Sequence, residues 1–340
     1  MIGGAPASVV RETGSQIPVE ASEGAFSLAA VKRESRWLSQ FAEDVNSQAG
    51  EDGILAMALS LLPDRNRCCI EFGAWDGRRY SNTCNLVERH RYTAVLIEGD
   101  ASRYKELRSA YPRKDRAIFI HAYVGWSSEN GLDAILSPHS VPRNPDLLSI
   151  DVDGNDYHIW RAIEHTRPKL VLIEYNPTMA NGVEFIQPAD AGCNQGNSPA
   201  SLVILGREKG YELIAATRLN LLFVDGQYYP LFHIPDNSLE AMRDDPPDHV
   251  FCGYDGTVFV QGAVGARWHR MWLSQRDVQV LPRALRRYPP AYNALQRFVL
   301  SCYRMLPGRG LAGRGRPSPE SNHAAVERRR MESSVPRDIS

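Results

Sequence analysis

The chain has 340 residues, 43% hydrophobic and 23% charged, which is enough apolar material for a sizeable core in one large domain or two smaller ones. The net charge is −1 and the pI about 6.8, so no global basic field points to nucleic acid or an anionic membrane as partner. No stretch approaches the ~18 apolar residues of a membrane span, and the opening MIGGAPASVVRETGSQ lacks the basic flank and apolar core of a signal peptide.

Residues 1–25, rich in Gly, Ala, Ser and Pro, read as a flexible arm. A helix is expected over 51–61 (EDGILAMALSL), then a strand at 67–72 (RCCIEF), a glycine turn (GAWDG), and a helix over 81–90 with Ser81 as N-cap. Next come a strand at 92–98 (YTAVLIE), a polar helix at 101–110 and a strand at 117–124. A fourth strand, LLSID, leads into a helix at 156–165, and a fifth covers 169–175 (KLVLIEY). Strands apolar along their whole length, separated by helices, imply a parallel sheet covered on both faces. The expected fold is therefore α/β, a Rossmann-like, doubly wound, mostly parallel sheet.

Beyond 199 the pattern becomes a helix (199–209), then strands at 211–216 and 220–225 that suit an antiparallel hairpin at the sheet edge. Residues 236–306 combine the strand-like VFCGYDGTVFV with a Trp- and Arg-rich helical part, and are expected to form a cap or lid beside the 26–235 domain. From 307 to 340 large apolar residues are few and Gly, Pro, Ser and Arg many, the composition of a disordered tail. Six cysteines, at positions 68, 69, 84, 193, 252 and 302, form no C-x-x-C pair. That speaks against a thiolate zinc site or redox pair and suits a reducing cytoplasm.

In doubly wound sheets ligands bind beyond the carboxyl ends of the strands. The first strand ends Glu71-Phe72-Gly73-Ala74-Trp75-Asp76-Gly77, an E-x-G-x-x-x-G turn. A dinucleotide fingerprint needs glycine at 75 and 78, where Trp and Arg stand, so NAD is disfavoured and an NAD-linked sugar enzyme with it. The turn resembles the first motif of S-adenosylmethionine (SAM) methyltransferases, and acids suit a donor whose amino group and sulfonium are cationic. Glu98, closing the second strand, is placed to accept ribose hydroxyls. With SQAGEDGIL (47–55), IEFGAWDG (70–77), LIEGD (96–100), LSIDVDGNDY (148–157) and IEYNP (173–177), residues 45–235 resemble the FkbM-like branch of these enzymes. The resemblance implies a class I SAM methyltransferase core and O-methylation of a sugar, glycoside or other secondary metabolite. It implies cofactor contacts from Glu71, Gly73, Ala74, Asp76, Gly77, Glu98 and Asp151. IEYNP follows the fifth strand, whereas the N-P-P-Y motif of amino-group methyltransferases follows the fourth, so N-methylation is the lesser alternative. A non-catalytic SAM-fold scaffold is another.

DVDGND is no EF-hand, because its sixth position is Asp156 and its twelfth Ala162. Asp151 and Asp153 leave the fourth strand, Glu174 and Asn176 the fifth. Adjacent strands lie ~4.8 Å apart, so these oxygens are candidates for a Mg²⁺ site, as in catechol-type and macrolide-sugar O-methyltransferases that they resemble. Two other readings stand beside that one: contact with cofactor or acceptor without a metal, Asp153 and Asn176 then acting in catalysis, and capping of the next helix by Asp153 and Asp156. His121 and His158 are candidate general bases or hydrogen-bonded structural histidines. Trp75 either covers the cofactor or packs a helix. Residues 47–53 either fold over the cofactor's methionine end or cap the first helix, and 192–201 line an acceptor pocket or form an ordinary loop. The partner expected is a small-molecule or glycan acceptor.

Overall fold

The computed structural model describes residues 34–305; the expected arm (1–25) and tail (307–340) lie outside the described residues. The described chain falls into two compact units, residues 34–176 with 181–244, and residues 177–180 with 245–305.

The first unit is mixed α/β. Strands β1 (Cys68–Phe72), β2 (Thr93–Glu98), β3 (Ala117–His121), β4 (Leu147–Ile150) and β5 (Leu170–Glu174) run parallel, and β6 (Tyr211–Ala216) and β7 (Asn220–Asp225) complete a seven-stranded sheet. The order is β3-β2-β1-β4-β5-β7-β6, with β7 antiparallel to both neighbours. Residues of β1, β4 and β7 are buried throughout, as continuous apolar runs demand of inner strands. Helix α1 (Glu51–Leu61) precedes β1, helices α2 (Cys84–Arg89), α3 (Ala101–Ala110), α4 (Leu132–Leu136), α5 (Asp156–Ala162) and α6 (Pro199–Glu208) run between strands, and α7 (Leu239–Met242) follows β7.

Several expected bounds shift for local reasons. Helix α2 starts at Cys84 rather than at Ser81, whose hydroxyl donates to Glu71 and accepts from the Cys84 amide. Strand β3 ends at His121, since Gly125 and Asn130 already pair across the following turn. The β6–β7 hairpin forms, but β7 takes the inner place against β5 and leaves β6 at the edge; all six β7 residues are buried, and β6 is only partly so. Residues 236–244 belong to the sheet-bearing unit, where α7 buries Leu239 and Met242.

Two contacts position the site. Trp160 of α5 packs on Phe223 of β7 at 5.0 Å and edge-on to Tyr211, which fixes the helix whose entry loop carries the acids. At the opposite end of the sheet Lys169 Nζ lies 2.8 Å from the fully buried Asp146, which also accepts the Arg67 amide at 2.8 Å. That pair ties together the starts of β1, β4 and β5.

The second unit holds an antiparallel hairpin of β8 (His249–Cys252) and β9 (Val258–Gln261), a short pair β10 (Gly265–Ala266) and β11 (Met271–Trp272), and helix α8 (Ala294–Met305). The helical content expected across 266–306 is confined to α8 and three short 3₁₀ turns. Among the described residues no helix is long and apolar enough to cross a membrane.

Candidate functional site

The chain leaves β1 toward β2 and β3, then returns to place β4 on the other side of β1, and at this reversal the carboxyl ends of the strands diverge. A cavity of about 830 Å³ opens there, within the range of small-molecule sites. Its wall includes Glu71, Gly73, Ala74, Glu98, Asp151 and Glu174, gathered from four adjacent strands and the loop after β1.

The turn after β1 needs its glycines for two different reasons. Gly73 has φ +76°, and a Cβ there would lie 1.9 Å from the Asp151 carbonyl oxygen, so only glycine lets the β1 and β4 loops touch. Gly77, φ +71°, is pressed against Leu107 and Tyr111 of the α3 segment and does not line the cavity. Asp76 also stays outside, its carboxylate accepting the Arg78 and Arg79 amides at 2.8 Å each. Both residues therefore shape the turn and leave contact with the cavity to their neighbours.

Glu71 is buried and heavily engaged: Ser81 Oγ, Thr83 Oγ1 and the Asn82 amide donate to it at 2.7, 2.6 and 2.8 Å. Burial pushes its carboxyl up and these donors oppose that shift. Glu98 is arranged differently. Its two oxygens each accept one loop amide, from Trp75 at 2.9 Å and Asp100 at 2.8 Å, leaving acceptor capacity on each in a residue that borders the cavity. Between them Trp75 sits at φ +44°, with the Arg79 and Arg103 guanidiniums 5.5 and 5.8 Å from its ring. A left-handed tryptophan is strained, and such strain is held only where surroundings over-determine it.

The acids after β4 and β5 form the second half of the wall. Register places Ile150 opposite Ile173, so Asp151 and Glu174 follow as neighbours. Asp151, Asp153 and Glu174 each offer an oxygen within 4.8 Å of the others. Burial first, then the crowded carboxylates, push both Asp151 and Glu174 well up, so the pair holds a proton near neutral pH. Asp156, also close enough to raise both of these carboxyls, accepts the Val152 and Gly154 amides at 3.0 and 2.9 Å and so closes the turn that holds Asp153 at φ +57°. Asn194 and Asn197 brace the same turn through the Asp153 and Gly154 carbonyls.

Asn176 does not line the cavity. Its amide nitrogen donates to the Gln195 carbonyl at 2.8 Å, whereas the three carboxylates lie together. Those three are the hard oxygen donors that suit Mg²⁺.

Neither histidine reaches the cavity. His121 stacks on Tyr104 at 4.8 Å with Nε2 3.1 Å from the Gly99 carbonyl; His158 has Nε2 2.8 Å from the Gln187 carbonyl. A carbonyl only accepts, so each of these nitrogens carries a proton and donates, and neither is free to take one from a substrate. Of 47–53, Gln48 lines the cavity while Ser47 Oγ accepts the Asp52 amide and Glu51 ties α1 to Thr217 and Asn220. Of the 192–201 segment no residue lines the cavity; its neighbour Ala191 does. Sequence reading missed Tyr123, Trp126 and Asn130 in the wall, which lie after β3 in a stretch without a recognisable motif.

No family model matches the chain, and no curated protein does either. Among solved structures, M. capricolum TrmK with S-adenosyl-homocysteine aligns at 11% identity over 50% of this chain and 67% of that one, with TM-score 0.33. M. jannaschii TYW2 with AdoMet aligns at 14% identity over 54% and 80%, TM-score 0.31. The glycopeptide N-methyltransferase MtfA with SAM aligns at 15% identity over 53% and 94%, TM-score 0.33.

Proposed function

We propose that the protein is a SAM-dependent methyltransferase of the FkbM-like branch that methylates a hydroxyl of a small molecule or glycan. The observation that carries the reading is that Glu98 and the Asp151–Asp153–Glu174 trio border one cavity at the carboxyl ends of β1, β2, β4 and β5. The free lone pairs of Glu98 suit the two ribose hydroxyls, and the acidic wall suits a cationic donor and would repel phosphates. A scaffold with no reaction to run has no use for carboxyls crowded and desolvated at the mouth of a cavity.

The chemistry asks for little beyond position. The acceptor oxygen attacks the methyl carbon in line, the C–S bond breaks with its electron pair passing to sulfur, and S-adenosylhomocysteine (SAH) leaves as a neutral thioether. The acceptor proton goes to the Asp151 carboxylate, whose raised pKa makes it a fit base near neutral pH. Glu174, its neighbour in the pair, orients that carboxylate. Positioning of the two reactants alone supplies ~7–11 kcal/mol of such a barrier.

A second reading follows from the 4.8 Å clustering of the trio, which fits Mg²⁺ held by Asp151, Asp153 and Glu174. Bound there, the ion would lower the pKa of the acceptor hydroxyl. Calorimetry with SAM and SAH, followed by transfer of an isotopically labelled methyl group into extract metabolites, tests the proposal. A folded protein that binds neither compound refutes it.

A further inference from the structure

The second unit carries a surface that methyl transfer does not use. Fourteen of the 21 exposed large apolar side chains of the described chain lie in 245–305, where only Val258, Leu285 and Tyr292 are buried. Exposed apolar area this concentrated marks a docking surface rather than chance scatter.

Helix α8 has two faces. Leu300 and Tyr303 look onto a groove shared with Val280, Leu281 and Tyr292, and Tyr303 Oη donates to the Val280 carbonyl at 2.6 Å. On the other side Leu295, Phe298, Cys302 and Met305 recur at three- and four-residue steps, one stripe of a helix, and stand exposed; Phe298 is 67% and Met305 80% accessible. A second apolar projection is the turn from β10 into β11, where Trp268, between Arg267 and Arg270, is 69% exposed and Met271 and Trp272 of β11 are 67% and 54% exposed.

Charge separates the possible occupants. Residues 34–244 hold 21 Lys and Arg against 29 Asp and Glu, whereas 245–305 hold eight Arg against four Asp, with no Lys and no Glu. The whole-chain value of −1 conceals a basic unit. Among the described residues Arg270, Arg276, Arg283 and Arg287 are exposed and make no ion pair. Past α8 the sequence adds Arg309, Arg314 and Arg316 before its first acid, Glu320. A second copy of the chain would set this positive surface against itself, and a zwitterionic surface would leave it uncompensated. An anionic bilayer neutralises the arginines and takes up the stripe and the tryptophans.

We propose that the second unit docks the protein on an anionic membrane surface, α8 lying in the interface with Leu295, Phe298 and Met305 toward the acyl chains, and the Trp268–Trp272 turn as second anchor. The full chain then co-sediments with phosphatidylcholine vesicles containing phosphatidylserine, does not do so with phosphatidylcholine alone, and dissociates as salt is raised. Phe298→Asp and Trp272→Ser, both at exposed positions, each weaken partitioning about tenfold or more while far-UV circular dichroism and Tm stay unchanged. Binding to neither vesicle, equal binding to both, or anionic binding that both variants leave intact overturns the proposal. So does a Phe298→Asp-sensitive dimer in light scattering without vesicle binding, which would assign the face to a second copy.

Discussion

Asp151 and Glu174 bring carboxylate oxygens within 4.8 Å of one another because β4 and β5 run parallel with Ile150 opposite Ile173, which leaves the next residue of each strand side by side at the mouth of the cavity. Two carboxyls so placed keep one proton between them. If Asp151 is the base, Asp151→Asn lowers turnover about 10²–10⁴-fold while SAH affinity changes only a few-fold, which single-turnover kinetics and calorimetry separate. The rate of the wild type rises with pH and levels off above about 7, where Asp151 is ionised.

The same pair shapes stability. Both folded-state values are raised above the unfolded ones of about 4, so the native state holds more protons than the unfolded chain above that pH. Their contribution is full at low pH and is lost as pH climbs through about 7 for Asp151 and further for Glu174. Between pH 5 and 8 the wild-type Tm therefore falls relative to that of Glu174→Gln, and thermal unfolding across that range gives the difference. A difference with the opposite sign would mean that both groups are ionised in the folded protein.

Glu98 holds the Trp75 and Asp100 amides and, under the proposed function, the ribose. Glu98→Gln puts a donor where one of those amides also donates, and removes the charge from hydrogen bonds worth about 1.5–3 kcal/mol each. SAH binding should weaken about 10- to 100-fold by calorimetry.

Metal removal separates the two readings of the trio. With Asp151 as base, dialysis against EDTA leaves turnover unchanged; with Mg²⁺ on Asp151, Asp153 and Glu174, turnover drops and returns on adding the ion. His121→Ala and His158→Ala, at positions outside the cavity, are expected to leave kcat within a few-fold in the same assay.

Lys169→Met strips Asp146 of its buried partner and should cost about 3–5 kcal/mol in urea unfolding, because the remaining carboxylate has no water to turn to. Its distance from the cavity predicts unchanged SAH affinity for the folded fraction.

Much of the first unit is legible without coordinates. The limits of α1, β6 and β7 follow from apolar runs bounded by turn residues, and the acids at strand ends announce a site. The short helices α4 and α7 leave no such signature, being only five and four residues long. Asp76, Gly77 and Asn176 were expected at the ligand because motif spacing does not say which way a turn residue faces. His121 and His158 were expected as bases because the carbonyls that occupy them, of Gly99 and Gln187, lie 22 and 29 residues away along the chain.

What the amino-acid order determined by itself was the alternation of strands and helices, and with it the rim on which Glu71, Glu98, Asp151 and Glu174 had to lie, since burial of a continuous apolar run is a local property. Tertiary structure alone decided that Glu71 would be engaged by Ser81, Asn82 and Thr83, that Asp151 would meet Glu174, and that the apolar stripe of α8 would stand open. Those outcomes depend on register and on partners distant in the chain, which no short window of residues encodes.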